Sequence, residues 1–352
     1  MALSIGIVGL PNVGKSTLFN TLTKKKVDIS NYPFCTIDPN IGIVKVPDER
    51  LAKLAEVSSS KEVVPTVMEF VDIAGLVRGA NQGEGLGNQF LSHIRECDAI
   101  CEVVRDFKDS DIIHVDGKIN PEEDKKTIDT ELLLADLSML EKILKKVQKN
   151  AKSGDKEFLK EKEVLEKIKK ALEDGQAVRN LDLVKEERAV AKKYNFLTAK
   201  PIVYVLNIGE GEENKTEALK DTILLNIKLE NDIINLSEAE QKEYIKELGL
   251  KESGLDKLIR ASYKLLNLIT FFTTGPEETR AWTVKIGSTA PEAAGRIHSD
   301  MEEGFIRAEV IDWQKLVDVG DETKAKEQGL IRTEGKNYTI KDGDSCYFLF
   351  KK

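Results

Sequence analysis

The chain has few cysteines, no long apolar run and fewer basic than acidic residues, and each of these features excludes a class of protein. Its four cysteines form no C-x-x-C pair, so neither a disulfide framework nor a paired-cysteine zinc site is indicated. No apolar run approaches the roughly eighteen residues that a membrane-spanning helix requires. The net charge of −8 at pH 7 argues against a protein that binds nucleic acid through bulk electrostatics.

What remains is the composition of ordinary globular domains. At 352 residues the chain is longer than one hydrophobic core usually supports, so two or three domains are expected. Its first residues run directly into a glycine loop and lack the basic region and cleavage site of a signal peptide. We therefore expect a cytoplasmic monomer without a membrane partner.

Two of the cysteines raise a metal-site alternative. Cys97 and Cys101, with His93, fall at the i, i+4 spacing of one helix face. A metal ion there would need further ligands from elsewhere in the chain. We expect buried, inert thiols instead.

Apolar runs alternate with helical patterns over much of the chain. The runs cover residues 4–10, 66–71, 99–104, 201–206 and 222–227. This alternation predicts an α/β fold in which a mostly parallel sheet is covered by helices on both faces.

Between residues 121 and 198 the pattern becomes purely helical. Apolar residues recur at spacings of three and four, a turn sequence (AKSGDK) follows, and a second heptad-like stripe continues among dense lysine and glutamate. This predicts an antiparallel helical hairpin, a coiled coil, inserted into the α/β domain. Two interpretations stay open, a solvated insert and an arm that docks a partner. The stripes are formed by Leu133, Leu137, Leu140, Leu144 and Val147, then Phe158, Leu165, Ile168 and Leu172.

The pattern changes again near residue 269. Short alternating strands (RAWTVKIG, FIRAEVI, SCYFLF) are separated by two segments that look helical, which predicts a small α+β module. We divide the chain into an α/β domain of residues 1–120 and 199–268, the hairpin of residues 121–198, and a C-terminal module of residues 269–352.

The stretch GLPNVGKS, residues 9–16, matches the phosphate-binding pattern G-x-x-x-x-G-K-[ST] between a predicted strand and a predicted helix. Its glycines let backbone N–H groups turn toward phosphates, Lys15 brings a charge to the outer phosphates, and Ser16 offers a hydroxyl to Mg²⁺. We expect a catalytic role for Lys15. The predicted nucleotide contacts here are Asn12, Val13, Gly14, Lys15, Ser16 and Thr17.

A second element, DIAG, follows a predicted buried strand at residues 72–75. Asp72 at the strand end is expected to hold Mg²⁺ directly or through water, and the Gly75 N–H to contact the terminal phosphate. Thr36, in an extended loop between the two elements, would complete the Mg²⁺ shell. The glycine-rich sequence after Gly75 suits a segment that orders when nucleotide binds.

The position that often carries a water-orienting glutamine, directly after the glycine of D-x-x-G, is Leu76. Hydrolysis must therefore position water by other means. His93 and His114 are candidates, and Asn12 could coordinate a monovalent cation such as K⁺ that supplies charge.

Guanine-specific switches place N-K-x-D after a later strand, because the aspartate accepts two hydrogen bonds from guanine. Here the strand PIVYVL ends in NIGE: Asn207 is kept, Ile208 replaces the lysine, and the longer Glu210 replaces the aspartate. The residues that recognise guanine are therefore missing or displaced. The aspartate of the full motif disfavours adenine, because adenine would leave its carboxylate unpaired.

Taken together, these motifs resemble the YchF or Obg-like ATPase family of P-loop NTPases. The resemblance is carried by GLPNVGKSTLFN, NYPFCTI, the sequence from EFVDIAGLVRGA to DAI, the NIGE departure, and the C-terminal stretch from ITFFTTGPEETRAWT to FIRAEVI. It spans essentially the whole chain.

The resemblance implies a P-loop NTPase domain interrupted by a helical hairpin, and a C-terminal TGS domain of the β-grasp type. It implies slow hydrolysis of ATP in preference to GTP, association with the ribosome, with tRNA or rRNA as contacts, and a catalytic histidine matching His114. The base-contacting loop falls at LNIKLE, with Asn226, Ile227 and Lys228, where smaller residues would be expected.

Three hypotheses follow. The first is an ATPase that couples nucleotide state to partner binding. The second is a conventional GTPase of the same fold. The third is a nucleotide-stabilised ribosome-binding or stress adaptor whose hydrolysis is incidental.

Overall fold

The structure is a computed structural model that describes residues 3–24, 38, 40–73, 86–109, 117–152, 155–212 and 222–351. Within these residues the chain forms two six-stranded sheets and a projecting helical hairpin. The strands are β1 (Ser4–Val8), β2 (Ile41–Lys45), β3 (Glu62–Val64), β4 (Val67–Asp72), β5 (Ala99–Asp106), β6 (Ile202–Ile208), β7 (Thr222–Leu225), β8 (Leu268–Thr273), β9 (Glu278–Lys285), β10 (Phe305–Asp312), β11 (Arg332–Glu334) and β12 (Asp344–Phe350).

The helices follow the alternation that the sequence predicts in the first domain and continue into the C-terminal module. They are α1 (Lys15–Lys24), α2 (Glu49–Ser58), α3 (Leu86–Glu96), α4 (Pro121–Ala151), α5 (Lys156–Glu173), α6 (Lys185–Lys193), α7 (Ile227–Ile233), α8 (Glu238–Glu247), α9 (Gly254–Leu265), α10 (Ala290–Ile297), α11 (Ser299–Glu303), α12 (Trp313–Val319) and α13 (Glu322–Glu327). No described helix is long and apolar enough to cross a membrane.

The first sheet has the strand order β2-β4-β1-β5-β6-β7 and confirms the α/β prediction. All neighbours are parallel except β2, which runs antiparallel to β4. Its central strands are buried on both faces, as near-continuous apolar runs require. Because parallel strands end at the same edge, the carboxyl ends of β1, β4, β5, β6 and β7 lie there together.

The hairpin consists of α4 and α5, joined by a short connection. Helix α4 is 31 residues long, or about 46 Å at 1.5 Å per residue. Asn120 caps its start by accepting a hydrogen bond from the Glu123 N–H, and Pro121 occupies the first turn. The predicted stripe residues Leu140, Leu144, Leu165 and Ile168 pack together in a hydrophobic cluster separate from that of the first sheet, and α6 closes this cluster.

The second sheet has the order β11-β10-β12-β8-β9-β3 and contains the three strands predicted near the C-terminus, together with β8. Helices α10 and α13 lie at the two predicted helical segments. Helix α10 covers one face through Ala290, Ala293 and Ala294, which pack on the sheet residues Phe271 and Phe348. The module is thus an α+β unit with its own core.

One segment of the first domain joins this second sheet, and the sequence did not predict it. Strand β3 pairs in parallel with β9, and Leu51 and Leu54 of α2 pack against Phe272 and Ile311. Arg50 donates to Asp48 and to Asp342, each at 2.7 Å. Residues 49–64 therefore belong by packing to the C-terminal module although they lie between β2 and β4 in sequence.

Candidate functional site: a phosphate loop and an adjoining cavity

A cavity of about 940 Å³ opens at the carboxyl edge of the first sheet. Its walls come from the P-loop (residues 9–16), from the turns after β5 and β6, and from helices α7 and α8. This is the edge at which open α/β sheets hold their ligands. The predicted site residues Asn12, Gly14, Lys15, Ser16, Thr17, Asn207, Ile208, Glu210, Asn226 and Ile227 all line it.

Two P-loop glycines occupy positions that other residues could not. Gly9 has φ 152°, and a Cβ there would run into the Val103 carbonyl on β5. Gly14 has φ 103°, and a Cβ there would meet the amide nitrogen of Asn207. Asn12 adopts the left-handed conformation at φ 63°, which asparagine tolerates better than most residues. The loop sequence thus follows from its tight curvature.

Lys15 is a buried cation at the start of α1. Its Nζ donates a hydrogen bond of 2.7 Å to the Leu10 carbonyl, which curls the side chain back over the loop. Burial lowers the pKa of Lys15 to about 8, and the nearby Asp72 carboxylate opposes this shift. A buried ammonium with one carbonyl acceptor retains donors for a further anion.

The donors expected to hold Mg²⁺ fit that ion in chemistry. Ser16 is exposed on the first turn of α1, and Asp72 is half-buried at the end of β4, where it lies in register with Ile7 on β1. Hydroxyl and carboxylate oxygens are Mg²⁺ ligands, and sites of this kind leave the remaining positions to phosphate and water. Accordingly, the described residues contain no cluster of three histidine, cysteine or carboxylate ligands.

Asn207 ties the phosphate side of the cavity to its other wall. Its side-chain nitrogen donates to the Val13 carbonyl at 2.9 Å, and its side-chain oxygen accepts from the Ile227 N–H at 3.2 Å. The residue is buried and paired in register with Arg105 on β5. Its amide therefore orients the P-loop and the turn after β7 toward each other.

The remaining residues of the predicted base loop separate into buried and exposed groups. The Ile208 side chain packs in a small apolar cluster with Val104 and Leu206, whereas Glu210 is exposed in the turn after β6. Asn226 caps α7 by accepting a hydrogen bond from the Leu229 N–H at 3.0 Å, and Ile227 is buried behind it. The lysine of the guanine-specific pattern is thus replaced by an apolar side chain at Ile208, within a wall that also contains Asn226 and Lys228.

The cavity wall formed by the residues after β5 was not predicted from the sequence. Arg105 is buried, with its Nε donating to the Phe107 carbonyl at 3.1 Å and its guanidinium carbon 4.3 Å from the centre of the Phe107 ring. Phe107, Lys108 and Asp109 line the cavity opposite α7. The signal was present as a charged residue closing an apolar strand (AICEVVR), since buried charges are rare without a role.

The structure describes some of the remaining predicted residues, namely the two cysteines and His93, and does not describe others. Cys97 and Cys101 are buried, and desolvation raises the pKa of Cys97 to about 11 and that of Cys101 to about 12, so the prediction of inert thiols is confirmed. His93 is exposed on α3 and does not line the cavity. Thr36, Gly75, Leu76 and His114 lie outside the residues that the structure describes.

Two family models match the chain. Residues 4–135 match a family described as 50S ribosome-binding GTPase. Residues 268–351 match YchF-GTPase_C, a family described as a protein of unknown function. The first match covers the P-loop and the strands around it, and the second covers β8 to β12.

Full-length relatives show the same likeness. The chain is 50% identical to the Ribosome-binding ATPase YchF of Bacillus subtilis, covering 99% of this chain and 100% of the relative. It is 51% identical to the protein of the same name from Escherichia coli O157:H7, covering 99% of each. The solved structure of the Schizosaccharomyces pombe YchF GTPase superposes with a TM-score of 0.88 at 37% identity, covering 99% of this chain and 97% of that one. The chain therefore belongs to the YchF family.

Proposed function

We propose that this protein is an ATP-hydrolysing switch whose nucleotide state controls its binding to the ribosome. The observation that carries the proposal is the cavity that joins a P-loop, with its buried Lys15, to a base-side wall lacking the guanine-reading aspartate. The names of the bacterial relatives, ribosome-binding ATPase, support both the activity and the partner. The proposed partner implies a cytoplasmic location.

ATP is proposed as the preferred nucleotide and GTP as a weaker one. An aspartate that reads guanine must be held at a fixed distance from the base edge, and Glu210 is longer and exposed in its turn. The similar proteins carry both names, ATPase for the bacterial relatives and GTPase for the Schizosaccharomyces pombe structure. The relative affinities for ATP and GTP therefore distinguish the two names.

Mg²⁺ is the proposed cofactor, with Ser16, Asp72 and Thr36 as its protein ligands. Bound between phosphates, the ion would neutralise charge that develops during hydrolysis. Lys15 would hold the outer phosphates, and the Gly75 N–H would contact the terminal one. Asn12 at the rim of the loop is proposed to hold K⁺, and His114 to position the attacking water.

The rest of the chain is proposed to convert nucleotide state into binding. By sequence we assign residues 1–120 and 199–268 to the NTPase domain, residues 121–198 to the hairpin, and residues 269–352 to a TGS-like domain, in a protein that works as a monomer. Residues 49–64 fall in the first range but pack on the TGS-like domain. Ribosomal RNA or tRNA is the proposed contact on the ribosome, as the resemblance to the family implies.

Base selectivity tests the proposal. Equilibrium binding of slowly hydrolysed ATP and GTP analogues is measured with Mg²⁺ on the wild type, on Ile208→Lys with Glu210→Asp, and on Glu327→Asp, an exposed position of α13, as a control away from the cavity. We expect the wild type and the control to prefer ATP by tenfold or more, roughly 1.4 kcal/mol. The double variant should shift toward GTP. Tight GTP binding with ATP excluded in the wild type would assign the protein to the conventional GTPases.

A further inference from the structure

The end of the hairpin carries a local excess of lysine over acidic residues. Residues 142–160 contain seven lysines and two acidic residues, although the whole chain has a net charge of −8. One of the two acids, Asp155, caps α5 by accepting a hydrogen bond from the Glu157 N–H at 2.8 Å. We call these lysines the tip lysines: Lys142, Lys145, Lys146, Lys149, Lys152, Lys156 and Lys160.

The tip lysines of α4 share one face of that helix. Positions 142, 145, 146 and 149 are spaced by three and four residues, so they lie within about a third of the helix circumference. The opposite side of the same turns carries Leu140, Leu144 and Val147, which pack into the core of the hairpin. The lysine face therefore points away from the hairpin core, and all seven tip lysines are exposed.

The tip lysines differ from lysines nearer the base of α5 in their partners. Lys162 pairs with Glu166 at 3.5 Å, Lys169 with Glu173 at 3.3 Å, and Lys167 with Glu187 on α6 at 2.9 Å. Within the described residues, none of the tip lysines has an ion pair or a hydrogen bond to an acidic side chain. Charges that only keep a helix solvated are usually interleaved with opposite ones, as they are at the base.

An unneutralised row of lysines fits a row of negative charges. Ammonium groups bind phosphates as point charges, and a helix face spaced at i, i+3, i+4 and i+7 presents several of them to one backbone. Each turn of α4 advances about 5.4 Å, so these ammonium groups repeat along the helix axis at short, regular intervals. An acidic protein surface would also attract the lysines but supplies no such regular row.

We propose that the tip lysines form the surface by which the hairpin contacts the phosphate backbone of ribosomal RNA. The inference rests on the ribosome as the partner and adds the part of this chain that makes the contact. It selects the docking arm over the solvated insert for residues 142–160. The contacts are to phosphates, so they position the protein and do not read RNA sequence.

Charge neutralisation with a matched control tests the proposal. The tip variant is Lys145→Gln, Lys149→Gln, Lys152→Gln, and the control variant is Lys162→Gln, Lys167→Gln, Lys169→Gln, with the same change in charge and the same replacement residue. Both affect exposed or half-exposed side chains, and unchanged circular dichroism and melting temperature establish that both are folded. Binding to purified ribosomes is measured by co-sedimentation of the full chain over a range of KCl concentrations.

We expect the tip variant to bind ribosomes at least about fivefold more weakly at low salt, and its slope of log K against log salt to fall by about 2, since each lost phosphate contact lowers the slope by roughly 0.7 to 0.9. The control variant should match the wild type. Deproteinised ribosomal RNA should compete with ribosomes for the wild type and much less well for the tip variant.

The opposing results are separable. A tip variant that binds like the wild type, with the same salt slope, would overturn the tip as the contact and leave the ribosome as partner. Loss of ribosome binding without competition by free ribosomal RNA would assign the lysines to an acidic protein surface instead. A wild type that does not sediment with ribosomes would overturn the proposed partner itself.

Discussion

Lys15 is buried at a cost in free energy, and the same residue is proposed to bind the phosphates of the nucleotide. Its ammonium lies beneath the P-loop with the Leu10 carbonyl as its hydrogen-bond acceptor, and burial lowers its pKa to about 8. Removing a cation from water costs free energy that a bound triphosphate would return. In the free protein the Lys15 ammonium is therefore buried at a cost in free energy, and an anionic ligand would offset that cost.

Replacement of Lys15 by methionine tests whether the buried charge lowers stability in the free protein and increases affinity for ATP. The apolar side chain has a similar length and avoids the desolvation cost, so we expect Lys15→Met to melt at the same or a higher temperature without nucleotide. Its affinity for ATP should fall by at least about a hundredfold, roughly 2.7 kcal/mol. Thermal unfolding with and without Mg²⁺ and ATP measures both effects. Lys108→Met, on the exposed wall of the same cavity, is the control and should keep most of the ATP-induced shift. A destabilised Lys15→Met protein that still gains stability from ATP would contradict the account.

At this scale the sequence predicts residues whose partners are close along the chain. The P-loop could be recognised because its glycines, lysine and serine are adjacent letters whose spacing reflects one tight turn. The role of Asn207 could not, because its two partners, the Val13 carbonyl and the Ile227 N–H, come from distant segments. Arg105 was missed for a different reason: its acceptor, the Phe107 carbonyl, is only two residues away, but its burial depends on how the turn after β5 folds back.

At the scale of single elements, α4 is the link between the sheet and the hairpin. Asp136 on α4 is buried and accepts hydrogen bonds from the Leu197 N–H at 2.9 Å and the Thr198 N–H at 2.7 Å. It also pairs with Arg95 at the end of α3, at 3.2 Å. Helix α3 directly follows the glycine-rich segment after Asp72 in sequence. Asp136 therefore holds α3, α4 and the turn before β6 together.

We expect Asp136→Asn to destabilise the protein by about 1 to 3 kcal/mol, because an amide offers one acceptor oxygen where the carboxylate serves backbone and side-chain donors at once. Urea unfolding measures the change. Asp155→Asn makes the same chemical change at the exposed cap of α5, where asparagine caps as well as aspartate, and it should be neutral within about 0.5 kcal/mol. Equal effects of the two substitutions would mean that the buried hydrogen bonds of Asp136 do not stabilise the contact among α3, α4 and the turn before β6.

Burial raises the pKa of Asp136, and the hydrogen bonds from Thr198 and Leu197 oppose the shift. The folded protein then binds the proton more tightly than the unfolded chain does. The stability gained from this tighter proton binding is fully present below the unfolded pKa, where the carboxyl group is protonated, and it is lost as pH rises through the folded pKa and the group ionises. Asp136→Asn should remove that part of the pH dependence, measured as urea unfolding between pH 4 and 7.

The hairpin itself was predictable because its apolar residues repeat at helical spacing over many turns. Helix α6 was not predicted as a separate element, since it is short and largely polar and buries only Ala191. Periodicity identifies long amphipathic helices well. It says little about short helices that close the end of a cluster.

At the scale of the whole molecule, the two sheets are joined through α2 and β3. Thr66 next to β3 hydrogen-bonds Thr283 on β9, and Ser60 donates to the Gly275 carbonyl at 2.7 Å. Leu54 is fully buried between α2 and the second sheet. The C-terminal module is thus fixed to the first domain by a segment inserted between β2 and β4.

We expect Leu54→Ala to destabilise this junction by about 2 to 5 kcal/mol, through the lost burial and the cavity left behind. If α2 couples the two units, the substitution should also separate the unfolding of the sheets into two calorimetric transitions. Leu159→Ala, at an exposed position of the hairpin, is the control and should change neither stability nor cooperativity. A single unchanged transition in Leu54→Ala would show that the junction lies elsewhere.

The change of pattern near residue 269 predicts a separate C-terminal module, but it does not predict this junction. Strand β3 has three residues, of which only Val64 is buried, and its partner β9 lies more than two hundred residues away in sequence. A strand that short has no pattern of its own. Its position follows from pairing with a sheet formed by another part of the chain.

The measurement that tests the central claim most directly is co-sedimentation of the protein with purified ribosomes in the presence of a slowly hydrolysed ATP analogue, of ADP, and of no nucleotide. The account predicts binding that differs by at least tenfold between the ATP-like and ADP states, and predicts that Lys15→Met abolishes the difference. Equal binding in all three conditions, or unaltered nucleotide dependence in Lys15→Met, would contradict a switch that couples nucleotide state to the ribosome.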